Sequence, residues 1–183
     1  AVNNRDQVPD PRPGPSYATV TDYVNDHPPE SLARLTPGRE LGWPYCNPDL
    51  GERSAFVRDV QTNADGSKLD CAALPPVEQT LGAHSAPLGL SFTTGTLPAP
   101  YDSGALVGVH GSWNRTPPRA PEVSFFAWRT GSLGSQQTLV GGFQDQDGSR
   151  WGRPVAAVAG PDGAVYITDD YAGAVYRLAP PGR

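Results

Sequence analysis

The chain has 183 residues, of which 37% are hydrophobic and 18% are charged, and its formal net charge is −5 at pH 7. A chain of this length can bury a sizeable core. Lys68 is its only lysine and no Lys/Arg run occurs, which argues against a nucleic-acid-binding protein. No apolar stretch approaches the roughly 20 residues that a helix needs to span a bilayer.

The 21 glycines and 21 prolines lie between short apolar runs, as turn residues do. This arrangement predicts a loop-rich globular β protein. The chain contains no methionine, so we expect it to be mature, trimmed or part of a longer protein.

Residues 1–40 are rich in proline, which disfavours long regular elements. The segment PPESLARL is the exception and predicts one short helix. Its prolines fall in the first turn, and Glu30 lies near the positive end of the helix.

Two cysteines, Cys46 and Cys71, lie in the irregular region that follows, without further ligands at metal-binding spacing. Two free buried thiols are one interpretation. We favour a disulfide, which would stabilise the fold by about 3–4 kcal/mol in the chain-entropy model. A disulfide implies an oxidising compartment, either the periplasm or the extracellular space.

Short strands separated by turn residues are predicted from residue 86 onward, in PLGLSFTTG, GALVGVHGS, EVSFFAWRTG, QQTLVGGFQD, GAVYITD and GAVYRLA. Two regions share an order: a strand led by proline, a Gly-Ala strand that ends in polar residues, then a third apolar strand. Repetition of small antiparallel sheets favours a β-propeller, and a β-sandwich with irregular loops is the alternative.

One strand ends in the polar sequence HGSWNR, at residues 110–115. An ordinary surface loop is one explanation. The other is a strand end that delivers a ligand-binding cluster, since His110, Asn114 and Arg115 offer hydrogen bonds and Trp113 offers a flat surface.

The segments GWPYC, HSAPLGLSF, HGSWNR and WGRPVAAVAGPDGAVYITDDYAGAVYR together resemble the glucose/sorbosone dehydrogenase family. These are soluble quinoprotein sugar dehydrogenases that use pyrroloquinoline quinone (PQQ). The L-sorbosone dehydrogenase and pyranose dehydrogenase-like members look nearest. The resemblance implies an all-β, six-bladed propeller, of which this chain would supply roughly the C-terminal three blades.

The implied organisation is a single propeller domain over residues 1–183. Residues 1–45 would form a loop-rich calcium region, residues 46–85 a loop-rich segment with the disulfide, and residues 86–183 the clearest blades. The family's general-base histidine is expected upstream of this chain, so the chain alone is expected to be inactive.

PQQ is a flat quinone with three carboxylates, and its recognition requires cationic donors and flat surfaces. A calcium ion on the quinone oxygens would act as a Lewis acid. The resemblance implies these cofactor-binding residues: His84, His110, Trp113, Asn114, Arg115, Arg153 and Asp169. Arg150 matches less well. The segment VNNRDQV resembles the calcium loop, which makes Asn3, Asn4 and Asp6 candidate calcium residues.

Structural roles compete with several of these assignments. Trp113 could fill a gap between blades, Arg115 could pair with a carboxylate, and Asp169 could cap a turn. His84 could be a structural hydrogen-bonding residue.

The implied reaction is oxidation of a sugar or a sugar-derived aldehyde by hydride transfer to PQQ, with the N-terminal half of the propeller and an electron acceptor as partners. A non-enzymatic extracellular binding module and an inactive fragment are the alternatives.

Overall fold

The computed structural model describes residues 8–9, 21–49, 55–95 and 97–179. These residues form two compact units. Unit 1 consists of the described residues within Ser85–Trp113 and Pro117–Arg183, and unit 2 of those within Val2–His84 and Asn114–Thr116.

Unit 2 is built from short elements, as its proline content predicts. In chain order they are α1 (Thr21–Asp26), β1 (Glu30–Leu32), β2 (Cys46–Pro48), β3 (Phe56–Arg58), a 3-10 helix (Cys71–Ala73) and β4 (Gln79–Leu81). β1 pairs with β4 and β2 pairs with β3, both antiparallel.

The helix predicted for PPESLARL is wrong. Glu30–Leu32 is a strand whose three residues are all buried, and it pairs with Gln79–Leu81. Burial on both faces suits a strand, whereas a surface helix keeps one face polar. The helix of this region is α1, which precedes the two prolines.

The predicted disulfide is confirmed. Cys46 and Cys71 are bonded, with their Cα atoms 5.7 Å apart. The bond joins β2 to the 3-10 helix and packs with Phe56 and Val77 in a small buried cluster. Asp70 caps the 3-10 helix by accepting a hydrogen bond from the backbone N–H of Ala72.

Unit 1 contains the longer strands, and they form two antiparallel sheets. The strands are β5 (Pro87–Thr94), β6 (Ser103–Val109), β7 (Glu122–Arg129), β8 (Ser132–Val140), β9 (Pro154–Ala159), β10 (Val165–Asp169) and β11 (Ala174–Leu178). One sheet has the order β5-β6-β7-β8 and the other β11-β10-β9. The strands predicted from residue 86 onward are therefore present.

The core of unit 1 lies between these two sheets. Leu106 and Phe125 of the first sheet pack with Ala157 and Ile167 of the second, and all four are almost completely buried. At Gly108 an added Cβ would collide with the backbone carbonyl of Val155. Glycine at that position therefore allows β6 to approach β9 closely.

The prediction of an all-β fold is confirmed for the described residues, apart from α1 and the 3-10 helix. The number of propeller blades stays a prediction. Among the described residues, no helix has the length and apolarity that crossing a membrane requires.

Candidate functional site

Three strand ends of unit 1 bring together a histidine, an arginine and an aspartate. His110 follows β6, Arg153 precedes β9 and Asp170 follows β10. Arg153 and Asp170 are neighbours because β9 and β10 are antiparallel, with Asp169 opposite Pro154. We call His110, Arg153 and Asp170 the Asp170 cluster.

Asp170 is the shared acceptor of the cluster. Arg153 donates two hydrogen bonds of 3.0 Å to it, from Nε to Oδ1 and from Nη2 to Oδ2. His110 Nε2 lies 3.0 Å from Oδ1 and 3.2 Å from Oδ2. Because a carboxylate can only accept, Nε2 carries the hydrogen of this contact. The cluster is open to solvent, with 35% of the Arg153 side chain and 46% of the Asp170 side chain exposed.

The hydrogen bonds from Arg153 hold the pKa of the Asp170 carboxyl below its usual range, and the contact with His110 adds to this effect. Asp170 is therefore a carboxylate at neutral pH. The Arg153 guanidinium also lies 5.9 Å from the ring centroid of Tyr171, within range of a cation–π contact. Arg153 Nη1 has no hydrogen-bond partner among the described residues, so it can donate to a bound ligand.

Asp169 has a different position from Asp170. It is 4% exposed and accepts hydrogen bonds from the backbone N–H groups of Arg153, Tyr171 and Ala172. The hydroxyl of Tyr176 donates to it as well. The ladder is irregular between Thr168 and Asp169. The two consecutive aspartates therefore differ in position, with Asp169 buried in the turn and Asp170 at the surface.

The remaining predicted residue of unit 1, Trp113, lies in the loop between β6 and β7 and is 82% exposed. Unit 1 thus brings His110 and Arg153 together through Asp170, and the contact of Asp169 with this cluster is its hydrogen bond from the backbone N–H of Arg153.

The other predicted cofactor residues lie in unit 2. Arg115 Nη2 donates to Asp26 Oδ1 of α1 over 2.7 Å. Nε2 of His84 lies 2.7 Å from the carbonyl oxygen of Val24. Asn114 Oδ1 is buried without a hydrogen-bond partner among the described residues. A buried unsatisfied acceptor is costly, and a donor or a cation on a bound ligand would satisfy it.

The three predicted calcium residues, Asn3, Asn4 and Asp6, lie outside the described residues. Among the residues that are described, no group of three or more His, Cys, Asp or Glu side chains could hold a metal ion.

Asp170 and Tyr171 are not among the cofactor residues predicted from the sequence, although both contact Arg153. The doublet DD at the end of a predicted strand was the available signal, and Asp169 was chosen from it. The choice required the local twist of the strand, because alternation places neighbouring side chains on opposite faces.

A family model described as TrAA12-like matches residues 38–180. The chain belongs to this family. The TrAA12-like match includes the disulfide, the β6–β7 loop and the whole Asp170 cluster, and it begins after the three residues predicted for calcium.

Solved structures share the fold of this TrAA12-like chain. The holo form of the PQQ domain of pyranose dehydrogenase from Coprinopsis cinerea matches with a TM-score of 0.66 and 19% identity. The match covers 97% of this chain and 49% of that one. The calcium structure of the family AA12 carbohydrate-active enzyme of Trichoderma reesei matches with a TM-score of 0.67 and 20% identity, over 96% and 47% of the two chains.

A curated relative of the TrAA12-like chain is an uncharacterised protein of Borreliella burgdorferi. It is 29% identical over 155 residues, which cover 82% of this chain and 39% of that protein. The chain thus spans less than half the length of each of these proteins. The predicted resemblance is confirmed at the level of family, and the sorbosone or glucose type stays a prediction.

Proposed function

We propose that this chain is the C-terminal half of a quinoprotein oxidoreductase that oxidises a sugar, or an aldehyde derived from one, with PQQ and calcium. Membership of the TrAA12-like family is the observation that carries the proposal. The fold it shares with a protein named as the holo PQQ domain of a pyranose dehydrogenase supports it further. The complete protein would be a single six-bladed propeller, with about three blades from this chain.

The Asp170 cluster fits an anionic, planar cofactor. Arg153 is the kind of donor that a carboxylate requires, and its two hydrogen bonds to Asp170, which also holds His110, orient it in advance of binding. We propose that Arg153 Nη1 donates to a PQQ carboxylate, that Tyr171 or Trp113 offers a flat surface, and that Asp170 is a positioning residue.

Unit 2 offers the remaining candidates. Asn114 Oδ1 is the orphaned acceptor, and we propose that a donor of the bound group satisfies it. Arg115 and His84 stay proposed cofactor residues, as does Asp169 of unit 1, with their present contacts orienting them. Asn3, Asn4 and Asp6 stay proposed for calcium.

When bound, PQQ supplies the acceptor for the hydride of the substrate carbon. The residues of this chain would bind the cofactor and hold it in one orientation. The general base that takes the hydroxyl proton would come from the N-terminal half of the propeller. A sugar or aldehyde substrate and a separate electron acceptor would be the partners, and the disulfide supports a secreted or periplasmic location.

The test uses the full-length protein that contains this chain, reconstituted with PQQ and calcium. We expect reduction of an electron-accepting dye when aldoses or sugar-derived aldehydes are supplied. R153Q should raise the Kd for PQQ by roughly tenfold or more, since hydrogen bonds to charged groups are worth about 1.5–3 kcal/mol. R153K should raise the Kd for PQQ by a smaller factor.

R177Q is the matched control. Arg177 also grips one aspartate, Asp162, through Nε and Nη2, but it lies on the exposed part of β11. The R177Q substitution should leave the Kd for PQQ unchanged. If the reconstituted protein neither bound PQQ nor reduced the dye with any substrate, the enzyme proposal would fail and a binding module would replace it.

A further inference from the structure

The loop between β6 and β7 is closed at its base. The backbone N–H of Ser112 donates to the carbonyl oxygen of Arg119 over 3.1 Å, and the N–H of Arg119 donates to Ser112 Oγ over 2.8 Å. Gly111 has a φ of +81°, and an added Cβ there would lie 2.7 Å from the carbonyl oxygen of Arg119. The backbone at Gly111 and the backbone at Arg119 therefore lie too close together for any other residue at position 111.

Arg150 fastens this base from outside the loop. Its Nη2 donates to the carbonyl oxygens of both Ser112 and Arg119, the second over 3.1 Å. Its Nε donates to Gln144 Oε1 over 2.7 Å, and Gln144 and Arg150 are also bridged through their backbones. One guanidinium thus joins the two ends of the loop to the segment before β9.

The partners of Arg150 are unusual for an arginine. Its hydrogen bonds to described residues all go to neutral oxygens, whereas Arg153, Arg177 and Arg129 each bind an aspartate. Nη2 donates to both carbonyls while Nε donates to Gln144, and the single ammonium of a lysine cannot make all three of these hydrogen bonds from the same positions. Burial, together with the positive charge of Arg153, lowers the pKa of Arg150 from its usual value.

The closed base carries Trp113, which directly follows Ser112. An indole that is 82% exposed gains nothing from burial in its own chain. Its attachment to a base with four hydrogen bonds instead holds the backbone next to Trp113 at a defined position, from which the indole can stack against a planar or ring-shaped ligand.

We infer that Arg150 is a positioning residue that closes the 112–119 loop and thereby fixes Trp113 for ligand contact, without touching the ligand itself. The identity of that ligand as PQQ rests on the proposed function. The closure of the loop does not, because it involves this chain alone.

The first measurement is hydrogen exchange of the amides of residues 111–119 in the full-length protein, without cofactor. R150Q removes the fork, and exchange in this segment should become roughly tenfold faster or more. R150K, which can reach one carbonyl, should give an intermediate rate. It also keeps the test informative if R150Q does not fold.

R129Q is the control for loss of an arginine that holds backbone carbonyls. Arg129 donates to the carbonyl oxygens of Ser103 and Pro100, at the opposite ends of β6 and β7. It should leave residues 111–119 unchanged. Exchange that is equally slow in R150Q and in the unmodified protein would overturn the inference, whatever the outcome for PQQ.

The second measurement separates positioning from direct contact through a double-mutant cycle on the Kd for PQQ. If Arg150 acts through Trp113, then R150Q/W113A should bind PQQ no more weakly than W113A alone, and R150K should recover part of the affinity lost in R150Q. Losses that multiply in the double variant would show that Arg150 contacts the cofactor itself, contrary to the inference.

Discussion

The core of unit 1 is an apolar layer between two sheets, whereas the described part of unit 2 buries polar side chains beside a small apolar cluster at the disulfide. In unit 1 Leu106, Phe125 and Ile167 are at most 1% exposed. In unit 2 Asp59 and Asn63 are equally buried, and they bond to the amides and carbonyls of surrounding turns. Long strands can present a continuous apolar face, but three-residue strands cannot.

Unit 2 therefore depends on bonds that hold turns in place. The disulfide joins β2 to the 3-10 helix. Arg39 binds Glu78 over 2.8 Å and also donates to the carbonyls of Arg34 and Pro76. Burial acts to raise the pKa of Glu78, but the hydrogen bonds from Arg39 and from the N–H of Arg34 outweigh it and lower the pKa. In the described part of this unit, such contacts act together with the small apolar cluster at the disulfide.

The largest effect should come from the apolar layer of unit 1. Phe125→Ala removes a fully buried ring and should lower the free energy of unfolding by about 3–5 kcal/mol. Phe92→Ala is the matched control, since Phe92 is 66% exposed in the same sheet, and it should lower it by less than about 1 kcal/mol. Denaturant unfolding measures both, and equal losses would show that unit 1 is not held by this layer.

Reduction of the disulfide should have the next largest effect, on unit 2. Opening the bond between residues separated by 25 positions should lower the free energy of unfolding by about 3 kcal/mol in the chain-entropy model. The measurement is the denaturation midpoint with and without a reductant. A variant with both cysteines changed to alanine should not respond to the reductant. If the reductant also left the denaturation midpoint of the unmodified protein unchanged, unit 2 would not depend on the disulfide.

The smallest effect should be a pH dependence within unit 1. Hydrogen bonds from Arg177, from the N–H of Ala164 and from Tyr166 lower the pKa of Asp162 from 3.8 to about 2. The unfolded chain then binds the proton more readily, so this contribution to stability is complete above about pH 5. It is lost as the pH falls through 3.8 towards about 2.

In D162N, stability should depend less on pH between pH 2 and pH 5. The denaturation midpoint, measured across this range, tests this. R177Q should reduce the pH dependence in part, because the bond from Arg177 is the main cause of the low pKa. The same pH dependence in D162N and in the unmodified protein would refute the assignment to Asp162.

The same contrast explains which elements the sequence could predict. Most strands of unit 1 are short apolar runs bounded by turn residues, and that local pattern is sufficient to find them. Pro28, Pro29 and Glu30 favour a helix start, so the local sequence predicts a helix where β1 lies. The pairing of β1 with β4, about 50 residues away, leaves no local signal.

The candidate site was predictable to a similar extent. His110 and Arg153 stand beside strand ends, where polar residues are visible in the sequence. The residue types do not indicate which of Asp169 and Asp170 lies inside the turn, because that depends on which side of the strand end is buried. The role proposed for Arg150 depends on where two backbone carbonyl groups lie in the fold. Every residue has a backbone carbonyl, so the sequence does not show which ones Arg150 contacts.

The division of labour between Asp169 and Asp170 has a consequence for how such a chain can change over time. The inner carboxylate is tied to its own turn, so its replacement disturbs the backbone. The outer one meets only side chains, from His110 and Arg153. A lineage can therefore substitute the outer position and rearrange the two side chains that it holds, whereas a substitution at the inner position alters the turn itself.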